Sequence, residues 1–124
     1  MAYAMVVDDS RAVRKLLAQT LTDLGYEVSE AENGKAALEA LHAHTGPLEL
    51  ILTDWNMPEM NGLEFLKAVR KEAEFNAVPV IMVTTETEME HMALALEAGA
   101  NEYVMKPFTR DILADKLRLA GIRV

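Results

Sequence analysis

Five polar residues stand where short apolar segments of the sequence end, and their chemical types suit one another. They are two acids after the first segment, one acid after the third, a hydroxyl at the end of the fourth and an ammonium after the fifth: Asp8, Asp9, Asp54, Thr84 and Lys106. Clustered carboxylates repel one another at neutral pH, so that they need a cation or a raised pKa. Each residue alone has an ordinary structural explanation, whereas their joint placement predicts a site for Mg²⁺ and a phosphoryl group.

The three acids are expected to do different chemistry. Asp8 and Asp9 are predicted to hold Mg²⁺, one directly and one through water, because Mg²⁺ prefers oxygen ligands and keeps several waters. Asp54 is predicted to be the nucleophile, since a carboxylate can form an aspartyl-phosphate. The backbone carbonyl of Asn56 would complete the coordination, and Lys106 would offset the charge of the transferred group.

The elements that must bring these residues together alternate between short β-rich segments and longer helical patterns. Such alternation predicts an α/β fold with a parallel sheet, right-handed crossovers and helices on both faces. Ligands of such sheets bind beyond the carboxyl ends of the strands, which is where the five polar residues fall. The predicted strands are Ala4–Val7, Glu27–Ala31, Leu48–Thr53, Val78–Thr84 and Glu102–Met105.

Five amphipathic helices are predicted to follow the strands. N-caps are predicted at Ser10 and Thr109, a capping-box start at Asn61 with Glu64, and a helix end at Gly99. The predicted apolar faces contain Val13, Leu16, Leu17, Leu21 and Leu24 in the first helix, Ala37, Leu38 and Leu41 in the second, Leu63, Leu66 and Val69 in the third, Met89, Met92, Ala93 and Leu96 in the fourth, and Ile112, Leu113, Leu117 and Ala120 in the fifth.

The composition excludes several classes of protein. The 124 residues, 51% of them hydrophobic, fit a single domain over 1–124 with a sizeable core, and no output domain is expected. There is no cysteine, which excludes disulfides and thiolate metal sites, and the formal charge of -8 disfavours nucleic-acid binding. No signal peptide or membrane span is expected, so that the predicted location is cytoplasmic. His42, His44 and His91 have no metal-like companions and are interpreted as surface residues.

Four segments of the sequence, with Gly62 and the turn Ala98–Ala100, resemble the receiver domains of two-component response regulators. Their order and spacing make the resemblance specific, and it covers essentially the whole chain. It implies a flavodoxin-like fold, a doubly wound sheet of five parallel strands in the order 2-1-3-4-5. The segments are Val7–Ser10, Leu52–Pro58, Met82–Thr85 and Val104–Phe108.

The resemblance also implies a role for each residue at the edge of the sheet. Asp54 is similar to the phosphoacceptor of the family. Mg²⁺ would contact Asp9, Asp54 and the carbonyl of Asn56, and Asp8 would complete the acid pair. Thr84 is similar to the switch hydroxyl.

Four further positions take their expected roles from the resemblance. Thr85 would lie beside the phosphate, and Lys106 would sense it. Tyr103 stands at the position of an aromatic ring that swings inward on activation. The bond between Lys106 and Pro107 resembles a peptide bond that is usually cis in the family.

Within the family, Trp55–Pro58, Tyr103 and the lack of an effector domain are most similar to the chemotaxis (CheY) type. That type implies phosphoryl transfer from a histidine kinase or phosphotransfer protein, and a flagellar motor component or another effector as partner. It implies a monomer that catalyses only its own phosphorylation and dephosphorylation, binds no nucleic acid and does not insert into membranes. Phosphorylation is expected to reshape the surface of the fourth helix, fifth strand and fifth helix.

Three alternatives stay open on the sequence alone. The chain would also fit a phosphorelay intermediate or phosphate sink of the same family. A Mg²⁺-dependent phosphatase with an aspartate nucleophile needs an acid/base Asp two residues later, where this chain has Asn56. A flavodoxin-like cofactor carrier needs a phosphate loop rich in Ser, Thr and Gly, where this chain has Asp8 and Asp9.

Overall fold

A computed structural model describes residues 2–44, 46–85 and 89–122, in which strands and helices alternate. The strands are β1 Ala2–Val7, β2 Tyr26–Ala31, β3 Leu50–Thr53, β4 Val80–Thr84 and β5 Glu102–Met105. The helices are α1 Arg11–Asp23, α2 Gly34–Ala43, α3 Gly62–Lys71, α4 Met89–Glu97 and α5 Arg110–Leu119. No helix within these ranges is long and apolar enough to cross a membrane.

The strands form one parallel sheet in the order β2-β1-β3-β4-β5, which confirms the expected α/β fold and strand order. In the register of the sheet, Val7 at the end of β1 lies between Ala31 and Thr53, the last residues of β2 and β3. Thr84 at the end of β4 pairs with Met105 at the end of β5. The residues that follow these strands therefore emerge at one edge of the sheet.

Alternate side chains of a strand point to opposite faces of the sheet. Both faces of this sheet are apolar, and helices cover both of them. In β4, Met82 belongs to one core cluster, and its neighbours Ile81 and Val83 belong to the other. The face covered by α1 and α5 includes Leu17, Leu21, Leu113 and Leu117. The face covered by α2, α3 and α4 includes Ala37, Leu41, Phe65, Leu66, Val69 and Ala95.

The predicted helix boundaries are confirmed at the caps. The side chains of Ser10 and Thr109 accept hydrogen bonds from the amides three residues later, at 3.3 and 3.1 Å. Asn61 and Glu64 form a reciprocal capping box, with bonds of 2.9 and 3.0 Å. Gly99 follows α4 with a φ of +111°, a conformation that favours glycine.

Strand boundaries differ from the prediction by up to two residues. β4 begins at Val80, two residues later than predicted, because Pro79 has no amide hydrogen for the sheet. The amide of Val78 instead bonds to the carbonyl of Phe75, at 3.1 Å, in a turn. β3 also begins two residues later than predicted, whereas β1 begins two residues earlier and β2 one residue earlier.

Some predicted apolar faces were wrong. Leu16 in α1 is 56% exposed, and Ile112 in α5 is 47% exposed. In α4, Met89 is 84% exposed, Leu96 is exposed, and the buried residue is Ala95 instead. Apolar residues stand on every side of α4, so that periodicity alone does not single out its buried face.

Two of the three histidines, which were interpreted as surface residues, are partly buried. His42 is exposed and its Nε2 lies 2.6 Å from Oε1 of Glu72. His44 is half-buried, with its ring 5.0 Å from that of Tyr3. His91 in α4 is also half-buried, so that two of the three lie partly within the fold.

Candidate functional site

Three carboxylates meet at the edge of the sheet where β1 and β3 end. One oxygen each of Asp8, Asp9 and Asp54 lies within 4.8 Å of the other two. The amide of Asp54 donates to the carbonyl of Val7, at 2.9 Å, and so ties the end of β3 to that of β1. Oxygens around one Mg²⁺ at about 2.1 Å are separated by roughly 3–4 Å, so that small side-chain movements suffice for shared coordination. No other group of three possible metal ligands occurs within the described parts of the chain.

Lys106 joins two of these acids. Its Nζ donates to Oδ2 of Asp8 at 2.8 Å and to Oδ2 of Asp54 at 3.3 Å, and its side chain is 13% exposed. The backbone amide of Lys106 bonds to the carbonyl of Thr84, at 2.9 Å, which fixes the residue at the end of the sheet. The bond between Lys106 and Pro107 is cis. One buried ammonium therefore partly neutralises two carboxylates.

Asp8 is fully buried, and all four of its hydrogen-bonding groups are occupied. Its amide donates to Ala31, its carbonyl accepts from Arg14, and its two carboxylate oxygens accept from the Ser10 amide and Lys106. Burial raises the pKa of Asp8 above its usual value, although the bonds from Lys106 and Ser10 act in the opposite direction. Asp8 is thus held in place by these bonds, and each of its carboxylate oxygens keeps one further acceptor position.

Asp9, in contrast to the buried Asp8, lies at the surface. Its side chain is exposed, and within the described residues no donor pairs with its carboxylate. It is therefore free to coordinate a cation directly. Asn56, the other predicted ligand, lies exposed in the loop after β3. A set of hard carboxylate oxygens, one of them unengaged, fits Mg²⁺.

Asp54 is buried, and both of its carboxylate oxygens are oriented. Oδ1 accepts from the amide of Trp55 at 2.7 Å, and Oδ2 accepts from Lys106. The loop after β3 packs tightly against this residue, because a Cβ on Gly62 would lie 2.0 Å from the carbonyl oxygen of Asp54. Glycine is therefore required at the first residue of α3.

The remaining predicted residues surround this cluster at different depths. Thr84 is fully buried at the end of β4. Thr85 is exposed and lines a groove with Lys106, Pro107 and Phe108. Tyr103 is 4% exposed and packs in the core cluster, so that its ring already lies inward in this structure.

Sequence reasoning missed contacts that depend on the folded chain. Arg14 contacts the carbonyl of Asp8 and also pairs with Glu30, at 3.2 Å. The buried ring of Trp55 lies 4.9 Å from the ring of His91, which joins α4 to the loop of the acid cluster. The available signal was the position of Arg14, one helical turn after the cap Ser10 and thus on the side of the acid pair. No signal in the sequence pointed to His91.

Comparisons with known proteins match this architecture. The family model for the response regulator receiver domain matches residues 4–118. The chemotaxis protein CheY1 of Helicobacter pylori is 47% identical over 116 residues, which cover 93% of each chain. A chemotaxis protein CheY homolog of Campylobacter jejuni is 47% identical over 114 residues, 91% of this chain and 87% of that protein.

The fold of the chain is also similar to that of a solved chemotaxis protein. The chemotaxis protein CheY4 of Vibrio cholerae superposes with a TM-score of 0.87 and 38% identity, over 95% of this chain and 97% of that one. The likeness extends over nearly the whole length of both chains. The chain therefore belongs to the response regulator receiver domain family, as a receiver of the CheY-like chemotaxis type.

Proposed function

We propose that the chain accepts a phosphoryl group on Asp54 from a histidine kinase or a phosphotransfer protein. In this proposal Mg²⁺ is held by Asp9, Asp54 and the carbonyl of Asn56, and by Asp8 through water. The observation that carries the proposal is the convergence of three carboxylates within 4.8 Å, two of them bonded to Lys106.

The chemistry needs little from the protein beyond position and charge. An oxygen of Asp54 attacks the phosphorus of a phosphohistidine, the P–N bond breaks, and the imidazole keeps the electron pair and takes up a proton. Lys106, 3.3 Å from Oδ2 of Asp54, offsets the negative charge that gathers there. Bound Mg²⁺ would neutralise charge on the phosphoryl oxygens. Attack of water on the phosphorus then breaks the P–O bond to Asp54, releases inorganic phosphate and restores the carboxylate. In this proposal the protein catalyses only its own phosphorylation and dephosphorylation.

The test is treatment with acetyl phosphate and Mg²⁺, followed by intact mass and peptide mapping. We expect one phosphoryl group, labile at alkaline pH, on the peptide that contains Asp54. Asp54→Asn should abolish it, whereas the matched control Asp111→Asn, at an exposed acid of α5, should not. A modification that persists in Asp54→Asn would contradict the proposal, and sustained turnover of p-nitrophenyl phosphate would favour the phosphatase alternative.

We propose that the phosphoryl group acts as a switch through the surface of α4, β5 and α5. It adds roughly -1.5 to -2 charge at Asp54, toward which Thr84 and Lys106 would move. Tyr103 is already buried in this structure, so that its ring would need no further inward movement in the activated state. Apolar side chains exposed on the three elements support a protein partner there: Met89, Leu94, Leu96, Met105 and Ile112.

The relatives named as chemotaxis proteins support a partner in chemotaxis, such as a motor switch component. The test compares binding of a motor switch protein and of a histidine phosphotransfer protein, each with unmodified and beryllofluoride-treated chain. Tighter binding of the motor protein after treatment supports the proposal. Equal affinity in the two states would remove the switch, and binding of the phosphotransfer protein alone would favour the phosphorelay alternative.

A further inference from the structure

A guanidinium outside the acid cluster contacts the turn that carries the acid pair. Nη1 of Arg14 donates to the carbonyl of Asp8 at 2.9 Å, and its Nε donates to Oε1 of Glu30 at 3.2 Å. The Arg14 side chain is only 16% exposed although it bears a full charge. It therefore bridges the β1–α1 turn and the end of β2.

The peptide groups on both sides of Asp8 are fixed as a result. The amide of Asp8 bonds to Ala31, the neighbour of Glu30 in β2, at 3.1 Å. The carbonyl of Asp8, which belongs to the peptide bond with Asp9, is fixed by Arg14. Since no described residue holds the carboxylate of Asp9, its direction depends on this peptide bond.

We propose that Arg14, oriented by Glu30, is a positioning residue for the cation site. It fixes the peptide bond between Asp8 and Asp9, so that the carboxylate of Asp9 is directed toward Asp54. This inference rests on the proposed function, because it takes Mg²⁺ to be bound at these acids.

The charge of Arg14 and its positioning of Asp9 have opposite effects on the affinity for Mg²⁺. A guanidinium near the acid cluster repels Mg²⁺, so that its removal should tighten binding if only charge matters. If Arg14 positions Asp9, its removal should weaken binding instead. Lys15 supplies the matched control, because its Nζ pairs with the same Glu30, at 3.0 Å, and it makes no described contact with Asp8.

The experiment is a Mg²⁺ titration followed by Trp55 fluorescence and, in parallel, by calorimetry. We expect Arg14→Met to weaken Mg²⁺ binding about tenfold, as is typical when a partner that orients a ligand is lost. Arg14→Lys should be intermediate, because an ammonium lacks the fork that reaches two acceptors. Glu30→Gln should weaken binding, whereas Lys15→Met should leave it unchanged or slightly tighter.

The outcomes distinguish an effect of the Arg14 charge alone from an effect on the position of Asp9. Unchanged or tighter binding by Arg14→Met overturns the positioning role, and so does an equal loss in Lys15→Met. If circular dichroism shows that Arg14→Met is unfolded, Arg14→Lys carries the same test, because it keeps the charge and loses the fork that reaches two acceptors. Wild-type protein that binds no Mg²⁺ would contradict the proposed function itself, which separates the two failures.

Discussion

Replacing Lys106 with Met removes the cation that bridges two buried acids and keeps a side chain of similar length. In the metal-free protein the change leaves Asp8 and Asp54, whose side chains are 0% and 9% exposed, without their shared ammonium. Their mutual repulsion is then no longer offset by a positive charge between them. The folded state should therefore lose stability.

The size of the loss follows from the burial of the three groups. Removing one partner of a buried ion pair typically costs about 3–5 kcal/mol, and the 13% exposure of Lys106 favours the lower end of this range. With a urea m value of about 1.5 kcal/mol/M, a loss of about 3 kcal/mol lowers the unfolding midpoint by roughly 2 M. Saturating Mg²⁺ supplies positive charge to the same carboxylates and should restore most of the loss.

The assay is urea unfolding of wild type and Lys106→Met, each in EDTA and in saturating Mg²⁺. Lys116→Met is the control, since Lys116 makes a more exposed pair with Glu102 at 3.3 Å. That substitution should cost less than about 1 kcal/mol and should not respond to Mg²⁺. A loss for Lys106→Met below that of the control, or one that is the same with and without Mg²⁺, would refute the reasoning.

Three further changes test other parts of the site. Gly62→Ala should lower stability by about 2 kcal/mol in urea unfolding, because the added Cβ would meet the carbonyl oxygen of Asp54. Glu59→Gly should raise the melting temperature, since Glu59 has a φ of +67° and a left-handed conformation costs about 1 kcal/mol for a residue with a side chain. Because burial raises the pKa of Asp8 in the folded state, folding favours the protonated carboxyl. This contribution to the free energy of unfolding is fully present below about pH 3.8, the usual pKa, and is lost as pH rises through the raised pKa. In EDTA, the stability advantage of Asp8→Asn over wild type, followed by urea unfolding, should therefore be absent at low pH and grow with pH.

The fold and the composition of the site were predictable because they depend on local patterns. Alternating strand and helix patterns predict a parallel sheet, and a parallel sheet brings the residues after its strands to one edge. Alternation alone does not give the strand order, which came from the family resemblance. In that order β1 lies beside β3, so that the acids after these two strands are adjacent. The caps at Ser10, Asn61 and Thr109 were predictable for the same reason, because a cap involves residues three apart.

The contacts that were not predictable join segments far apart in the chain. The bond of Arg14 to Asp8 and its pairing with Glu30 depend on how α1 packs beside β2. The packing of His91 against Trp55 depends on the position of α4, whose apolar residues do not specify one buried face. Burial of Asp8 likewise follows from the assembled sheet, and with it the rise of its pKa.

The most direct test of the central claim, that the acids share one cation beside a phosphoacceptor, is a crystal structure of the protein grown with Mg²⁺ and beryllofluoride. The predicted result is beryllofluoride on a carboxylate oxygen of Asp54, with Mg²⁺ coordinated by Asp9 and Asp54. Beryllofluoride on another residue, or Mg²⁺ bound away from these carboxylates, would contradict it.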